Sequence, residues 1–545
     1  MSAEFPSFHH PPADTLLFGG TIISLDPSGN EGPVEALLVK GGRIAAMGRL
    51  ADIEAASRPG IRRINLAGRT LLPGFNDAHI HVWKVGHLLT SMLDLRGVAS
   101  HAELASRLKQ RDAALTQPET WLQARGLNEA TLAEGHLPTR THLDAMVPHR
   151  PVFIIRTCAH IAMANSRALE LAGITRETPD PAGGHIERNA SGEPTGILHE
   201  TALGLISRHI PPPTAAEYRA MIAAAARLLL SQGITSATDP GVMPDLLDVY
   251  RALDEESALP LRLNVMAIRR PDGGTSLLPL PARHLSPHLR IDTIKLFADG
   301  GLSGATAAMY TPYRTGGQGV LRLTTEEIVE ACRDAHLAGF RIAIHAIGDT
   351  AIDAVLDAYE RLRRLGVRGR HHRIEHFGMP TAEQIARARA LGILAIPQAI
   401  FLHELGENFL AHLPDDAHIE RCYPLRALLD AGIPMALSSD APVVRCTSPL
   451  LGMQAAVLRR TAQGRPLAPT HAISTFEALS AYTLGGAEAS GDLANRGTLT
   501  PGKWADMTVL DANPLTTPTE ELSNIKVEMT FVGGHLAYDE SSTLY

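Results

Sequence analysis

Cysteine is scarce. The chain has four, Cys158, Cys332, Cys422 and Cys446, and no two stand in a CxxC spacing. A zinc ribbon or a disulfide framework is therefore not expected, and free thiols in a reducing compartment fit better. No uninterrupted apolar run approaches the ~18 residues of a membrane span. The opening MSAEFPSFHHPPADT lacks a basic stretch followed by an apolar one, so no secretory leader is expected and the cytoplasm is the expected setting. A basic block is missing too. Fifty Lys and Arg against 58 Asp and Glu give a net charge of −8, spread along the chain, which argues against a nucleic-acid or anionic-membrane partner. Neither a GxxxxGK(S/T) loop nor a strand-linked GxGxxG occurs, so a nucleotide-binding fold lacks its usual support.

What is present is material for a large core. Of 545 residues, 45% are hydrophobic and 20% charged, which excludes wholesale disorder and predicts at least two domains. Gly (47) and Pro (37) are plentiful enough for many short, sharp loops. The two ends read as β. TLLFGGTIISLD and EALLVKGGRIAAMG are broken by Gly19-Gly20 and Gly41-Gly42, which predicts hairpins; KWADMTVLD and VEMTFVGGHLAYD, around Gly533-Gly534, look the same. A small sheet built from both termini is the economical reading. The middle repeats one unit: amphipathic helix, glycine, short buried strand, polar residue at the strand end. Residues 215–232 precede Gly233 and ITSATDP, and a helix capped by Thr324 or Thr325 precedes Gly339 and RIAIHAIGD. TAEQIARARAL precedes Gly392 and ILAIPQ, and PLRALLDA precedes Gly432 and IPMALSSD. Apolar strands between helices imply a parallel sheet, and so many units favour a (β/α) barrel over a doubly wound open sheet.

Histidine is the unusual count, at 25, and its placement is informative. In GFNDAHIHV, His79 and His81 stand two apart, so in an extended segment both imidazoles point to one face and can reach one ion at about 2.0–2.1 Å. Alone, such a pair is more often a solvated one near a strand end. In IDTIKLFADGG, Lys295 interrupts an apolar strand, where an ammonium is costly to bury. Its head either escapes to the rim or is pushed toward neutrality, where reaction with CO2 would give a carbamate able to bridge two cations. RIAIHAIGD, HHRIEHFG and MALSSDAP place His345, His376 and Asp440 at the ends of short apolar strands. Each alone reads as a hydrogen-bonded rim residue. Together, on a barrel that gathers strand ends on one rim, they read as a metal cluster.

The ordered set GRTLLPGFNDAHIH (68–81), IKLFADGGLSGATAAM (294–309), HAIGD (345–349), IEHF (374–377), SSDAP (438–442) and GTLTPGKWADMTVLDANP (497–514) resembles the amidohydrolase superfamily. Specifically, it resembles the family-3, YtcJ-like metal-dependent hydrolases, which include N-substituted formamide deformylases. The stretches 151–169 and 183–198 resemble a long insertion of that family. The resemblance implies an α/β fold: a (β/α)8 TIM-type barrel over 69–489, with the insertion at about 100–215, and a composite β-sandwich from 1–68 plus 490–545. It also implies a binuclear centre of two divalent ions, Zn2+ being the best fit to imidazole and carboxylate ligands. His79, His81 and Asp440 would bind the first ion and His345 and His376 the second, with N6-carboxylated Lys295 between them. Some branches carry a glutamate at the lysine position or use one metal. In the insertion, Arg156, His160 and Asn165 fall where the family pattern places polar pocket residues, although Cys158-Ala159 precede His160 where relatives often have Asp-Gly. Asp299 could orient a ligand or cap the loop after the Lys295 strand.

The chemistry so implied is attack of a metal-bridging hydroxide on a substrate carbonyl, with catalytic Asp440 passing a proton to the departing nitrogen. The expected substrate is a small, uncharged, partly apolar molecule, an N-substituted amide or formamide. Phe153, Ile155, Ile161, Met163, Ile400, Phe401, Leu402 and Phe409 would line its pocket or simply pack. Carbamate, lactone or other ester-like hydrolysis at the same site is an alternative. A mononuclear deaminase would want a glutamate where Gly348 stands, with Asp349 one residue on; a non-catalytic assembly protein would have lost ligands, and none is missing. The resemblance also implies a homodimer.

Overall fold

The computed structural model describes residues 12–26, 34–117, 119–157, 161–181, 184–271, 274, 276–366 and 371–542. The chain forms two compact units, Met1–Val85 with Ile222–Tyr545, and Gly86–Met221.

The larger unit is α/β. Seven strands stand in sequence order in one sheet, each parallel to the next: β1 (Phe75–Asp77), β2 (Ile234–Val242), β3 (Arg262–Ile268), β4 (Leu289–Phe297), β5 (Arg341–Ala346), β6 (Arg373–His376) and β7 (Leu394–Ile396). A short strand, His284–Leu285, pairs antiparallel with β4. Parallel strands covered on both faces read as unbroken apolar runs, and β3 and β7 are buried at every position. Helices α1 (Pro244–Glu255), α2 (Thr325–Leu337), α3 (Asp349–Arg363) and α4 (Ala382–Leu391) lie between successive strands in the chain, and α5 (Leu425–Asp430) follows β7. In α2, Thr324 rather than Thr325 is the cap: its side chain accepts from the Glu327 N–H while the Glu327 carboxylate accepts from the Thr324 N–H. Ile328, Ala331, Cys332 and Ala335 recur at helical spacing and are the buried stripe. Thr324→Ala is expected to lower stability by about 1 kcal/mol, read as a fall in the denaturation midpoint; no fall would mean the cap is idle.

The segment expected as a strand over IPMALSSD makes one isolated bridge, Ala395 to Met435. It nevertheless bonds on both sides. The Ala395 N–H donates to Pro434 O (3.0 Å) and Ala436 N–H to Ala395 O (3.1 Å). On the other side, Asp440 N–H donates to His79 O (2.7 Å) and His81 N–H to Ala441 O (2.9 Å). Regular pairing stops because the Ser439 N–H turns to the Asp77 carboxylate and Asp440 adopts φ 55°.

The chain ends build two further sheets. One has the order Arg43–Gly48, Ala36–Lys40, Thr15–Phe18, Arg62–Asn65; the other has Thr21–Ile22, Thr70–Pro73, Met507–Leu510, Val527–Val532, His535–Asp539. Leu17, Leu37, Val39, Leu71, Met507, Val509 and Phe531, from strands of both, share one core. Gly41-Gly42 and Gly533-Gly534 turn hairpins, with positive φ at all four residues. Gly19-Gly20 does not. The strands on either side of it belong to different sheets, and the close approach at the crossing requires glycine, since a Cβ on Gly20 would stand 2.2 Å from Arg69 O.

The Gly86–Met221 unit holds a six-stranded sheet in the order Gly184–Arg188, Pro194–Glu200, Ile161–Ala164, Val152–Arg156, Leu122–Leu127, Leu93–Asp94. Its two faces have separate cores, so residues alternate along a strand. Val152, Ile154 and Met163 face one core; Phe153, Ala162 and Ala164 face the other. Ile161 packs against the first and Ile155 against the second. Phe153, Ile155, Ile161 and Met163 are thus packing residues, and the expectation that they line a pocket gives way. Among the described residues no helix is long and apolar enough to cross a membrane.

Candidate metal centre

β1 ends at Asp77, and the chain bends through Ala78 and His79. His79 N–H donates to Asp77 Oδ1 (3.1 Å) and Ile80 N–H to Thr238 O (2.9 Å). His79 and His81 both meet Asp440: its Oδ1 lies 3.4 Å from His79 Nε2 and 3.3 Å from His81 Nε2. Donor atoms of these three residues lie within 4.8 Å of one another, close enough to share one cation.

The other expected residues collect beside them. The β4–β5 register sets Phe297 opposite His345, and the β5–β6 register sets Ala346 opposite His376. The His345 and His376 rings are 4.3 Å apart, His376 and His79 5.1 Å, and His79 and His81 5.8 Å. Lys295 is wholly buried, with Nζ 4.7 Å from the Phe297 ring centre and no hydrogen-bond partner among the described residues. Burial pushes its ammonium down to about 8, the attraction of Glu375 and Asp440 offsetting only part of that cost. Asp440 shows the reverse balance. Burial alone would raise its carboxyl, but His79, His81 and His376 outweigh it and hold the carboxylate below its ordinary range.

Three of the four imidazoles have their outer nitrogen engaged, which fixes where the lone pair points. His79 Nδ1 donates to Glu375 Oε2 (2.5 Å), leaving Nε2 toward Asp440. His376 Nδ1 donates to Gln398 Oε1 (2.6 Å); that amide is oriented by its own donation to Ile396 O and Ser438 Oγ. His345 is reversed: Nε2 donates to Gly300 O (2.9 Å), leaving Nδ1 free. Burial lowers the pKa of His79, His376 and His81, the last to about 3, so these rings are neutral and able to ligate. Neutral imidazoles, an ionised carboxylate with Oδ1 unpartnered and a buried, unpartnered amine together form a donor set that fits divalent cations.

The weaker expectations fare differently. Asp299 accepts from Ile347 N–H (3.1 Å), Gly348 N–H (2.8 Å) and Ala308 N–H (3.0 Å), and its Oδ1 lies 3.3 Å from His345 Nε2. These contacts fit the loop-capping alternative and set the carboxylate beside His345. Asn165 is buried with all its capacity engaged: Oδ1 accepts from Val152 and Ala168 N–H, and Nδ2 donates to Val147 and Arg150 O. A side chain so engaged frames the fold, and the substrate role expected for it gives way. Arg156 forms a bidentate pair with Glu129, both contacts at 2.7 Å. His160 lies outside the described residues. Asp349 donates nothing to the deaminase reading: Oδ1 accepts from Tyr310 N–H (2.7 Å) and Oδ2 from Arg421 (3.0 Å). Of the apolar residues in 400–409, Phe401 stacks on His376 at 6.2 Å, whereas Phe409 packs on Tyr423.

Sequence reasoning passed over Asp77, Arg373, Glu375 and Gln398. Asp77, pushed up to about 7 by burial, accepts from His79 and Ser439 N–H and so binds the two ligand-bearing segments together. The signal was present for Arg373 and Glu375, two charges inside the wholly buried strand RIEH, the same argument that singled out Lys295.

Fold and site together define a metal-dependent hydrolase. The chain belongs to the amidohydrolase family, whose model matches residues 62–538. It is 31% identical to an N-substituted formamide deformylase of Arthrobacter pascens, over 93% of this chain and 96% of that protein. It is 31% identical to YtcJ of Bacillus subtilis (strain 168), over 96% and 99%. Among solved structures it resembles an uncharacterized metal-dependent hydrolase of Pyrococcus horikoshii OT3, with TM-score 0.77 and 27% identity over 93% of this chain and 99% of that one.

Proposed function

We propose that this hydrolase cleaves a C–N bond in an N-substituted amide, with formamides as the leading class. The relative named for formamide deformylation supports the class. The observation that carries the proposal is that buried Lys295 Nζ and Asp440 Oδ1, neither of them hydrogen-bonded among the described residues, stand amid four histidines. In this reading His79, His81 and Asp440 would hold one divalent ion and His345 and His376 a second, and a carboxylated Lys295 would offer an oxygen to each. Zn2+ is the ion this donor set favours. When bound, such ions polarise a carbonyl and make water acidic enough to attack near neutral pH.

The residues of the chain supply the rest. Water adds to the carbonyl carbon, Asp440 Oδ1 takes its proton, and the carboxyl returns that proton to the nitrogen as the C–N bond breaks. A formamide thus yields formate and an amine. Proton delivery matters because an unprotonated amide nitrogen is a poor leaving group. Phe401 against His376 gives the apolar wall that an N-substituent would meet.

We further read 434–441 as the eighth stave, closing a (β/α)8 barrel over 69–489, and the terminal sheets as a composite β-sandwich. Loading the protein with Zn2+ and offering matched N-alkylformamides, N-acyl amines, carbamates and lactones tests the proposal. Two equivalents of metal per chain are expected, with formate released from formamides at least ~10-fold more efficiently than the lactones or carbamates are opened. Turnover of lactones or carbamates alone would overturn the C–N assignment.

A further inference from the structure

Glu375 has no solvent exposure and stands beside the centre without belonging to its ligand set. Both its oxygens are engaged. Oε1 accepts from Arg373 Nε at 2.7 Å; Oε2 accepts from Arg373 Nη2 at 2.9 Å and from His79 Nδ1 at 2.5 Å. Two residues apart on β6, Arg373 and Glu375 lie on one face of the strand. Arg373 is itself pinned by donation to Ala78 O (2.7 Å) and Ala489 O (3.2 Å). A chain of bonds thus runs from the 486–489 helix through Arg373 and Glu375 to the His79 ring, and Arg373 also grips the backbone one residue before His79.

We propose that Glu375, held by Arg373, is a positioning residue of the metal centre, fixing His79 with its proton on Nδ1 and its lone pair on Nε2. The inference rests on the metal-dependent reading above. Its force comes from donor counting. Arg373 presents two N–H groups to residue 375 and His79 presents one, and only a carboxylate accepts all three. A glutamine there has one acceptor oxygen: in the Oε1 place it leaves its NH2 facing both Arg373 Nη2 and His79 Nδ1, and in the Oε2 place it leaves its NH2 facing Arg373 Nε. Two donors cannot meet, so in the first setting the ring moves its proton to Nε2 and the atom that faces Asp440 loses its lone pair, and in the second the Arg373 grip that holds residue 375 against His79 is broken.

The test reads metal affinity in the full chain, without substrate. Zn2+ binding is measured by competition with a chromogenic chelator, and the site geometry by the visible spectrum of the Co2+ form. Glu375→Gln is expected to weaken the first equivalent of Zn2+ by about 10–100-fold and to alter the Co2+ spectrum. Glu375→Asp, which keeps the charge, is expected to lose less. A merely structural residue would give a less stable Glu375→Gln protein with wild-type Zn2+ affinity and spectrum, and that result overturns the proposal. Should Glu375→Gln fail to fold, Arg373→Met with Glu375→Leu replaces the buried pair by apolar volume and is read the same way. The same 10–100-fold weakening supports the proposal, and wild-type affinity overturns it. Wild-type protein that takes up no Zn2+ overturns the metal-dependent reading and this proposal together; wild-type uptake matched by Glu375→Gln overturns this one alone.

Discussion

Asp440→Asn is expected to lose at least ~10³-fold in kcat on whichever bond the wild type cleaves, while the chain keeps its fold. Removal of a positioned acid–base group lowers rates by about 10²–10⁴-fold, and here the same side chain also ligates in the proposed centre. The fold survives because what anchors the segment is backbone: Asp440 N–H donates to His79 O and His81 N–H to Ala441 O, bonds that the substitution leaves in place. Among the described residues its Oδ1, though 3.4 and 3.3 Å from the His79 and His81 Nε2 atoms, accepts no hydrogen bond, so an amide of equal size breaks none there. His79→Ala should be as inactive for another reason, the lost ligand, and should also release Zn2+ more readily. Steady-state turnover and thermal denaturation of the two variants decide the matter. Full activity in either removes the proposed centre; inactivity together with unfolding would shift the blame to the fold.

The centre is legible from sequence to the extent that burial is. Lys295, His345, His376 and Asp440 stand out because each puts a polar group at the end of an apolar run, and parallel strands bring such ends together. His79 and His81 stand out by spacing. Roles that depend on which groups lie across the sheet are not written in any one segment. Glu375 serves a histidine 296 residues away, and Gln398 a histidine 22 away. Asp299 and Asn165 mark the opposite failure. Both are polar, near motif residues and easily assigned to substrate, yet each is taken up by backbone N–H groups that became neighbours only on folding. Gly19-Gly20 and Gly41-Gly42 look alike as dipeptides, and only the strands that receive their flanks separate a crossover from a hairpin. Phe153 and Met163 suggested a pocket because a strand with two buried faces carries more apolar residues than one core needs.

Lys295→Met is expected to abolish activity and yet to stabilise the metal-free protein. The wild-type ammonium is buried without a hydrogen bond, and its pKa falls from 10.5 to about 8. That drop corresponds to about 3 kcal/mol of destabilisation, an order-of-magnitude figure. The sign follows from which state holds the proton. Below pH 8 the lysine is charged in both states and the full cost falls on the folded one. Between pH 8 and 10.5 the folded state sheds its proton while the unfolded state keeps it, so the cost fades as pH rises. The stability gained by Lys295→Met over wild type should therefore be greatest at neutral pH and close toward pH 10.5, and methionine, close to lysine in volume, adds little cavity cost. A lysine kept at such a cost is explained if CO2 relieves it. The neutral amine attacks CO2, an N–C bond forms, a proton leaves, and the anion that results suits cations where the ammonium did not. Lys295→Ala should then be inactive and regain part of its rate with added short carboxylic acids and Zn2+, since a free carboxylate fits the space the carbamate would take. An inactive Lys295→Ala protein that still binds two metals at wild-type affinity, or a Lys295→Met protein no more stable than wild type at pH 7, would remove the bridging role.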